Sequence, residues 1–397
     1  MNATRLEMEQ LARKELFSNP PELDRSFWQK ALDWSTGKVR DNILAFNTSY
    51  PAPTSINNKY PLIENNEWTT AFWPGMLWLS WESTGDSAFQ EAAEKCITDF
   101  HSRLERRIAV ETHDLGFLYT LSCVAPWKLT ENTLAREAAI KAADLLLTRY
   151  FEKAGIIQAW GNLNDPKQRG RIIIDCAMNL PLLYWASEET GKTHYREAAE
   201  RHIHQANNYL IRDNWSTYHT FFFDTETGSP VRGNTAQGFS DDSCWARGQA
   251  WGIYGNALSY RYIHDDEFIN CAKGLACYFI NRLPEDLIAY WDLVFTSGNE
   301  ERDSSAAAIA ACGLLELVTV LPISDDDRRL FENAALRIMA ELVSSYTTAA
   351  LPDSTGLLLH GVYAKPENKG VDECTSWGDY FYLEALVRIV NGWKPYW

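Results

Sequence analysis

Two kinds of helical segment alternate along this chain, and that alternation limits what it can fold into more than any other feature. Six segments, beginning at about Thr69, Asp114, Asp175, Ser243, Ser304 and Ser376, are apolar on nearly every side. A helix without a polar face must be buried all round. Between them run amphipathic segments from about Leu23, Phe89, Thr133, His194, Glu267 and Asp325, with apolar residues three and four apart. Four of these share one pattern, an aromatic residue followed by small ones: Phe89 with Ala92 and Ala93, Tyr195 with Ala198 and Ala199, Phe268 with Cys271 and Ala272, Phe331 with Ala334 and Ala335. Small residues let an outer helix lie close against its neighbour. Turns such as Thr84-Gly85-Asp86, Thr190-Gly191-Lys192 and His264-Asp265-Asp266 separate the two kinds.

A hairpin of one inner and one outer helix cannot bury its apolar face alone, so the six must stack or close on themselves. An open solenoid needs polar caps at its ends, whereas a ring of six inside six does not. The predicted fold is therefore all-α, a closed (α/α)6 barrel of six helical hairpins, with the open solenoid as the alternative. No proline-rich or low-complexity linker divides the chain, so residues 1–397 are read as a single catalytic domain. Alternating strand-like runs are almost absent. Three connections, 158–170, 215–242 and 289–303, are long and rich in Gly, Asn, Asp and Thr, and each leads into an inner helix. Long loops in a compact fold are usually functional.

A formal charge of -16 argues against nucleic acid or an anionic membrane as partner, since both need a basic face. No apolar run suits a signal peptide or a membrane span. The eight cysteines sit singly in apolar patterns without metal-site spacing and read as reduced core residues, which points to the cytoplasm. An aromatic content of 13% is compatible with ring surfaces that stack on sugars as well as with core packing. If the ligand is an anionic sugar, an acidic chain must hold positive potential locally, from an Arg or from helix N-termini.

Unusual polar residues gather where the inner helices begin: Trp68, His113 with Asp114, Asp175, then Asp241, Asp242 and Arg247, then Asp303, and Ser376 with Trp377. A closed barrel brings these to one mouth. Capping accounts for Asp and Ser at such positions, and it suffices for Asp303, but it explains neither the Trp residues nor the His and Arg companions. Asp175 follows three isoleucines and precedes an apolar helix. Desolvation there would raise its carboxyl pKa and suit it to proton transfer, the alternative being an ordinary cap. Asp114 is a second acid at the neighbouring helix, and paired acids are the equipment of glycoside hydrolysis. Arg247, one turn into its helix, would be expensive there unless paired. It either forks the carboxylate of an acidic sugar or pairs with Asp241 or Asp242. Trp68, Trp160, Trp251 and Trp377 are candidate sugar platforms, and His219 and Gln237 candidate hydrogen-bond donors.

Four stretches, NNEWTTAFWPGMLWL from Asn65, HDLGFLY from His113, IIIDCAMNLPLL from Ile172 and DDSCWARGQAWGIYG from Asp241, make the chain similar over nearly its whole length to the unsaturated glucuronyl hydrolases, family 88 of the glycoside hydrolases. The resemblance implies an (α/α)6 barrel, no metal and no cofactor. It implies release of a terminal 4,5-unsaturated uronic acid from lyase-generated glycosaminoglycan disaccharides and oligosaccharides; the sequence leaves monomer or homodimer open. It also implies that Asp175 is the acid that protonates a vinyl ether and Asp114 a second essential acid. His113, Trp68, Trp160, His219, Gln237, Arg247 and Trp251 then fall on binding positions. Members that prefer sulfated disaccharides carry serines and lysines before the last inner helix, whereas this chain reads Ala364-Lys365-Pro366-Glu367-Asn368-Lys369-Gly370. Lys365 and Lys369 are either sulfate contacts or solvated loop residues, and Glu367 would repel sulfate. Unsaturated rhamnogalacturonyl hydrolases, acting on pectin fragments, and a non-catalytic helical-repeat glycan-binding protein are the alternative functions.

Overall fold

Leu77, Trp78 and Leu79 point three ways around one helix, and all three are free of solvent. Only a helix covered on every side allows that. In the computed structural model, which describes residues 5–397, six such helices form the inner ring: Phe72–Thr84; a composite of Leu115–Tyr119, Thr120–Val124 and Ala125–Thr130; Cys176–Asn179 continued by Pro181–Thr190; Ala246–Ile263; Ser304–Val320; and Ser376–Asn391. Each packs on the next, and the sixth packs on the first, so the ring is closed. The amphipathic helices Arg25–Phe46, Ser87–Glu105, Thr133–Leu147, Thr193–Leu210, Asp266–Asn281 and Asp326–Ser345 lie outside it. The alternation read from sequence is thus an (α/α)6 barrel, and the open solenoid is set aside.

Hairpin turns are short because the chain reverses within one or two residues. Gly85 takes a left-handed φ of 71° at the end of the first inner helix, a conformation that favours glycine. The next residue, Asp86, then caps the outer helix by accepting from the Ala88 N–H at 3.0 Å. Close packing of inner helices is equally specific. A Cβ added at Gly116 would lie 2.3 Å from the Asn179 backbone, so the second and third inner helices meet at the level of Asp114 and Asp175.

Two inner helices are interrupted where the sequence shows one apolar run. The second passes through a wide π turn at Thr120–Val124, and the third is broken before Pro181, which lacks the N–H that would continue the ladder. The fourth begins at Ala246 rather than Ser243, because the Ser243 hydroxyl and the Cys244 N–H are both held by Asp292. Strands also occur where loops were expected. Arg171–Ile173, Thr220–Phe223 and Pro230–Asn234 form an antiparallel sheet, and Gly361–Ala364 pairs with Lys369–Glu373. Runs of three to five residues are too short for a two-residue period to register.

The other end of the barrel is sealed by residues 395–397, which turn inward. Trp397 stacks on Phe381 with ring centres 6.0 Å apart and donates to Glu384 at 2.9 Å. All eight cysteines are buried and unpaired. Among the described residues no helix is long and apolar enough to cross a membrane.

Candidate active site

Closure brings the starts of the first four inner helices around one cavity of about 310 Å³, while Asp241, Asp242, Asp303 and Ser376 stay out of its lining. Trp68 comes from the approach to the first helix, Asp114 and Asp175 from the starts of the second and third, and Arg247 and Trp251 from successive turns of the fourth. The connections between hairpins complete the wall with Thr112, Trp160, Ile173, His219, Gln237, Trp245, Tyr363, Glu367 and Lys369.

Asp175 and Asp114 both stand at helix starts, yet neither side chain makes a capping bond. Capping therefore does not account for either acid. His113, buried behind them, points Nε2 at both, 3.3 Å from Asp175 Oδ1 and 3.5 Å from Asp114 Oδ1. Burial opposes charging the imidazole, but the two carboxyls outweigh it and raise its pKa above the usual value. Burial also raises the Asp114 carboxyl, against the pull of His113 and a bond from the Thr112 hydroxyl at 2.7 Å. The more enclosed carboxyl is thus Asp114, while the Asp175 side chain keeps 17% of its surface open toward the cavity. These three side chains lie within 4.8 Å of one another, a spacing a divalent cation could bridge. An imidazole whose proton affinity is raised by two facing carboxyls suits proton sharing better than metal ligation.

His219 Nδ1 accepts from the Ala236 and Gln237 N–H groups at 2.8 and 3.1 Å. The ring's hydrogen is thereby left on Nε2. Burial depresses the His219 pKa to about 3, so the ring is a neutral donor at neutral pH. Gln237 spends its carbonyl on Arg247 Nη2 at 2.7 Å, which leaves its amide N–H groups for a ligand. Arg247 is fully committed at both terminal nitrogens. Nη1 binds Asp303 at 3.1 Å and the Val362 carbonyl, and Nη2 binds Gln237 and the Tyr363 carbonyl. Trp245 and Trp377 lie over the guanidinium at 4.4 and 4.9 Å.

Two acids beside a buried imidazole, in a cavity walled by indoles and neutral donors, are equipment for proton transfer to a sugar. Residues 46–369 match Glycosyl Hydrolase Family 88. The chain belongs to glycoside hydrolase family 88. An unsaturated chondroitin disaccharide hydrolase of Streptococcus pyogenes serotype M1 is 48% identical over 391 residues, 98% of each chain. A crystal structure of unsaturated glucuronyl hydrolase from Streptococcus agalactiae matches with a TM-score of 0.97 at 44% identity, covering 100% of both chains. A mutant of the S. agalactiae enzyme complexed with dGlcA-GalNAc6S matches with a TM-score of 0.89 at 41% identity, again over 100% of both chains.

Several sequence expectations are corrected in this family 88 hydrolase. Arg247 pairs with Asp303, not with Asp241 or Asp242, and all four terminal N–H groups are used, so it braces the wall instead of offering a free fork. Asp303 does cap its helix, accepting from the Ser305 N–H at 3.1 Å, and the same carboxylate holds Arg247 through its other oxygen. Trp377 is no platform: its ring is wholly buried, stacked 5.3 Å behind Trp68. Trp68, Trp160 and Trp251 do line the cavity. Lys365 is drawn off by Glu301, whereas Lys369 lines the cavity with its ammonium 4.2 Å over the Tyr363 ring. Sequence reading missed Tyr363, which accepts from Trp68 Nε1 at 2.8 Å, and Trp245, which touches His219 and Arg247. Tyr363 sits in a four-residue strand directly before the Ala364–Gly370 stretch, too short a run for its period to mark it. Trp245 lies inside the DDSCWARGQAW motif and could have been found there.

Proposed function

We propose that this family 88 hydrolase releases the non-reducing terminal 4,5-unsaturated uronic acid from lyase-generated glycosaminoglycan oligosaccharides by hydrating the C4=C5 vinyl ether. The names of its relatives support that substrate class. The observation that carries the mechanism is the Asp175 carboxyl, uncapped, open to the cavity and 3.3 Å from His113. As a carboxylic acid, Asp175 gives its proton to C4, and positive charge develops at C5 and the ring oxygen. Its carboxylate then takes a proton from the water that bonds to C5. The resulting hemiketal opens to a C5 ketone, and the hemiacetal left at C1 expels the rest of the chain as an alcohol. Asp114 and the neutral His219 and Gln237 donors hold hydroxyl and carboxylate groups, Trp68 and Trp160 supply ring faces, and Trp251, almost wholly buried, backs the wall. In this reading residues 1–397 act as one catalytic unit, and eight unpaired buried thiols favour the cytoplasm.

Asp175→Asn tests the assignment. Expected is loss of turnover, followed as persistence of the double-bond ultraviolet absorbance, with binding of an unsaturated chondroitin disaccharide retained by calorimetry. Substantial residual turnover in that variant would refute the role of Asp175. Wild-type turnover of an unsaturated rhamnogalacturonan disaccharide in preference to the chondroitin one would refute the substrate class.

A further inference from the structure

The cavity wall carries four acids, Glu67, Asp114, Asp175 and Glu367, and its arginine is spent on internal partners. Besides Lys369 inside the cavity, unspent positive charge lies further out, on the three-stranded sheet beside the mouth. Ile173, which lines the cavity, pairs across the sheet with Thr220, and Thr220 with Asn234. Side chains two residues along a strand share a face. The next row on that face is Arg171, Phe222 and Arg232, about 7 Å further along the strands. Exposure rises in the same direction: Ile173 and Thr220 are buried, Arg171 and Phe222 half-buried, and Arg232 exposed.

Both guanidiniums lie 5.1 Å from the Phe222 ring, and Arg171 also lies 3.9 Å over Trp160, which joins this row to the cavity. Neither arginine has a carboxylate within 4.0 Å or a side-chain hydrogen bond among the described residues, and Arg171 Nη1 is a buried donor without a partner. In the turn between the second and third strands Glu226 is taken by Arg169, and Asp224 accepts from the Glu226 and Thr227 N–H groups. Two unpaired arginines on one aromatic ring are unusual on a chain of formal charge -16. They make a surface that attracts an anion and stacks on a sugar face.

We propose that Arg171, Phe222 and Arg232 form an outer subsite for a longer glycan, binding the carboxylate or sulfate ester of a sugar beyond the disaccharide held in the cavity. The subsite rests on the activity proposed above. It leaves disaccharide turnover untouched and lowers KM for longer chains, an advantage that salt erodes because the rim is solvated.

The test is Arg232→Glu, an exposed position outside the cavity, assayed on unsaturated disaccharides and hexasaccharides of hyaluronan and of chondroitin sulfate. Expected is a KM for hexasaccharide raised about fivefold or more, with disaccharide kinetics unchanged. A response with hyaluronan assigns the carboxylate as ligand; a response confined to chondroitin sulfate assigns the sulfate ester. Equal effects on disaccharide and hexasaccharide, or none on either, overturn the subsite. Should wild type leave the disaccharide untouched, the proposed activity fails, and calorimetric binding of hyaluronan hexasaccharide to wild type and Arg232→Glu judges the subsite alone. Lost affinity in the variant supports it, and equal affinity overturns it.

Discussion

At the scale of single residues, placement decides chemistry. Asp379 shows this away from the active site. It lies buried in the first turn of the sixth inner helix, accepting from the Leu358 N–H at 2.9 Å and the Tyr60 hydroxyl at 2.8 Å. Burial raises its pKa from 3.8 to about 7. Because the fold holds this proton more tightly than the unfolded chain does, the stability it contributes is complete below about pH 4 and declines by about 1.4 kcal/mol per pH unit up to about pH 7. Asp379→Asn, which mimics the neutral acid, removes that decline. Urea unfolding at about pH 5 and about pH 7 should show the variant gaining on wild type as pH rises; a constant difference would contradict it. At the active site burial raises the Asp114 carboxyl as well, although nothing in His113-Asp114-Leu115-Gly116 marks that position as enclosed.

At the scale of elements, the relation between the second and third inner helices sets the spacing of the two acids. Gly116 faces the Asn179 backbone, and Asn179 fastens the contact by accepting from the Phe117 N–H at 2.8 Å. Gly116→Ala must push these helices apart. We expect a loss of about 2–3 kcal/mol in stability, measured by denaturant unfolding. A fall in kcat exceeding any rise in KM should accompany it, since Asp114 and Asp175 ride on the two helices. Unchanged kcat would show that the helix contact does not set the geometry of the acids. The helices themselves were legible from their period, and so were their hairpin turns. Their interruptions at Thr120–Val124 and before Pro181 were not, because an apolar run reads alike whether or not the ladder inside it is continuous.

At the scale of the whole molecule, the barrel is closed around its circumference and stoppered at the end away from the cavity. Trp397 fills the axis between Phe117 and Phe381, and both of those rings also touch Trp251 of the cavity wall. Trp397→Ala opens a large void and strips Glu384 of a donor, at about 3–5 kcal/mol. A drop in thermal midpoint measures it, and a drop of less than a degree or two would mean the stopper carries little. The sequence by itself determined the six hairpins and, of the mouth, Trp68, Asp114, Asp175 and Arg247, because burial on all sides and small-residue spacing are written in local periodicity, whereas it left closure and an open solenoid both standing. Tertiary structure alone decided the partners: Arg247 with Asp303, Lys365 with Glu301, Trp377 behind Trp68, and Arg171 beside Arg232. Such pairings join residues from separate hairpins and connections, and a side chain's role depends on which neighbour closure brings within bonding distance.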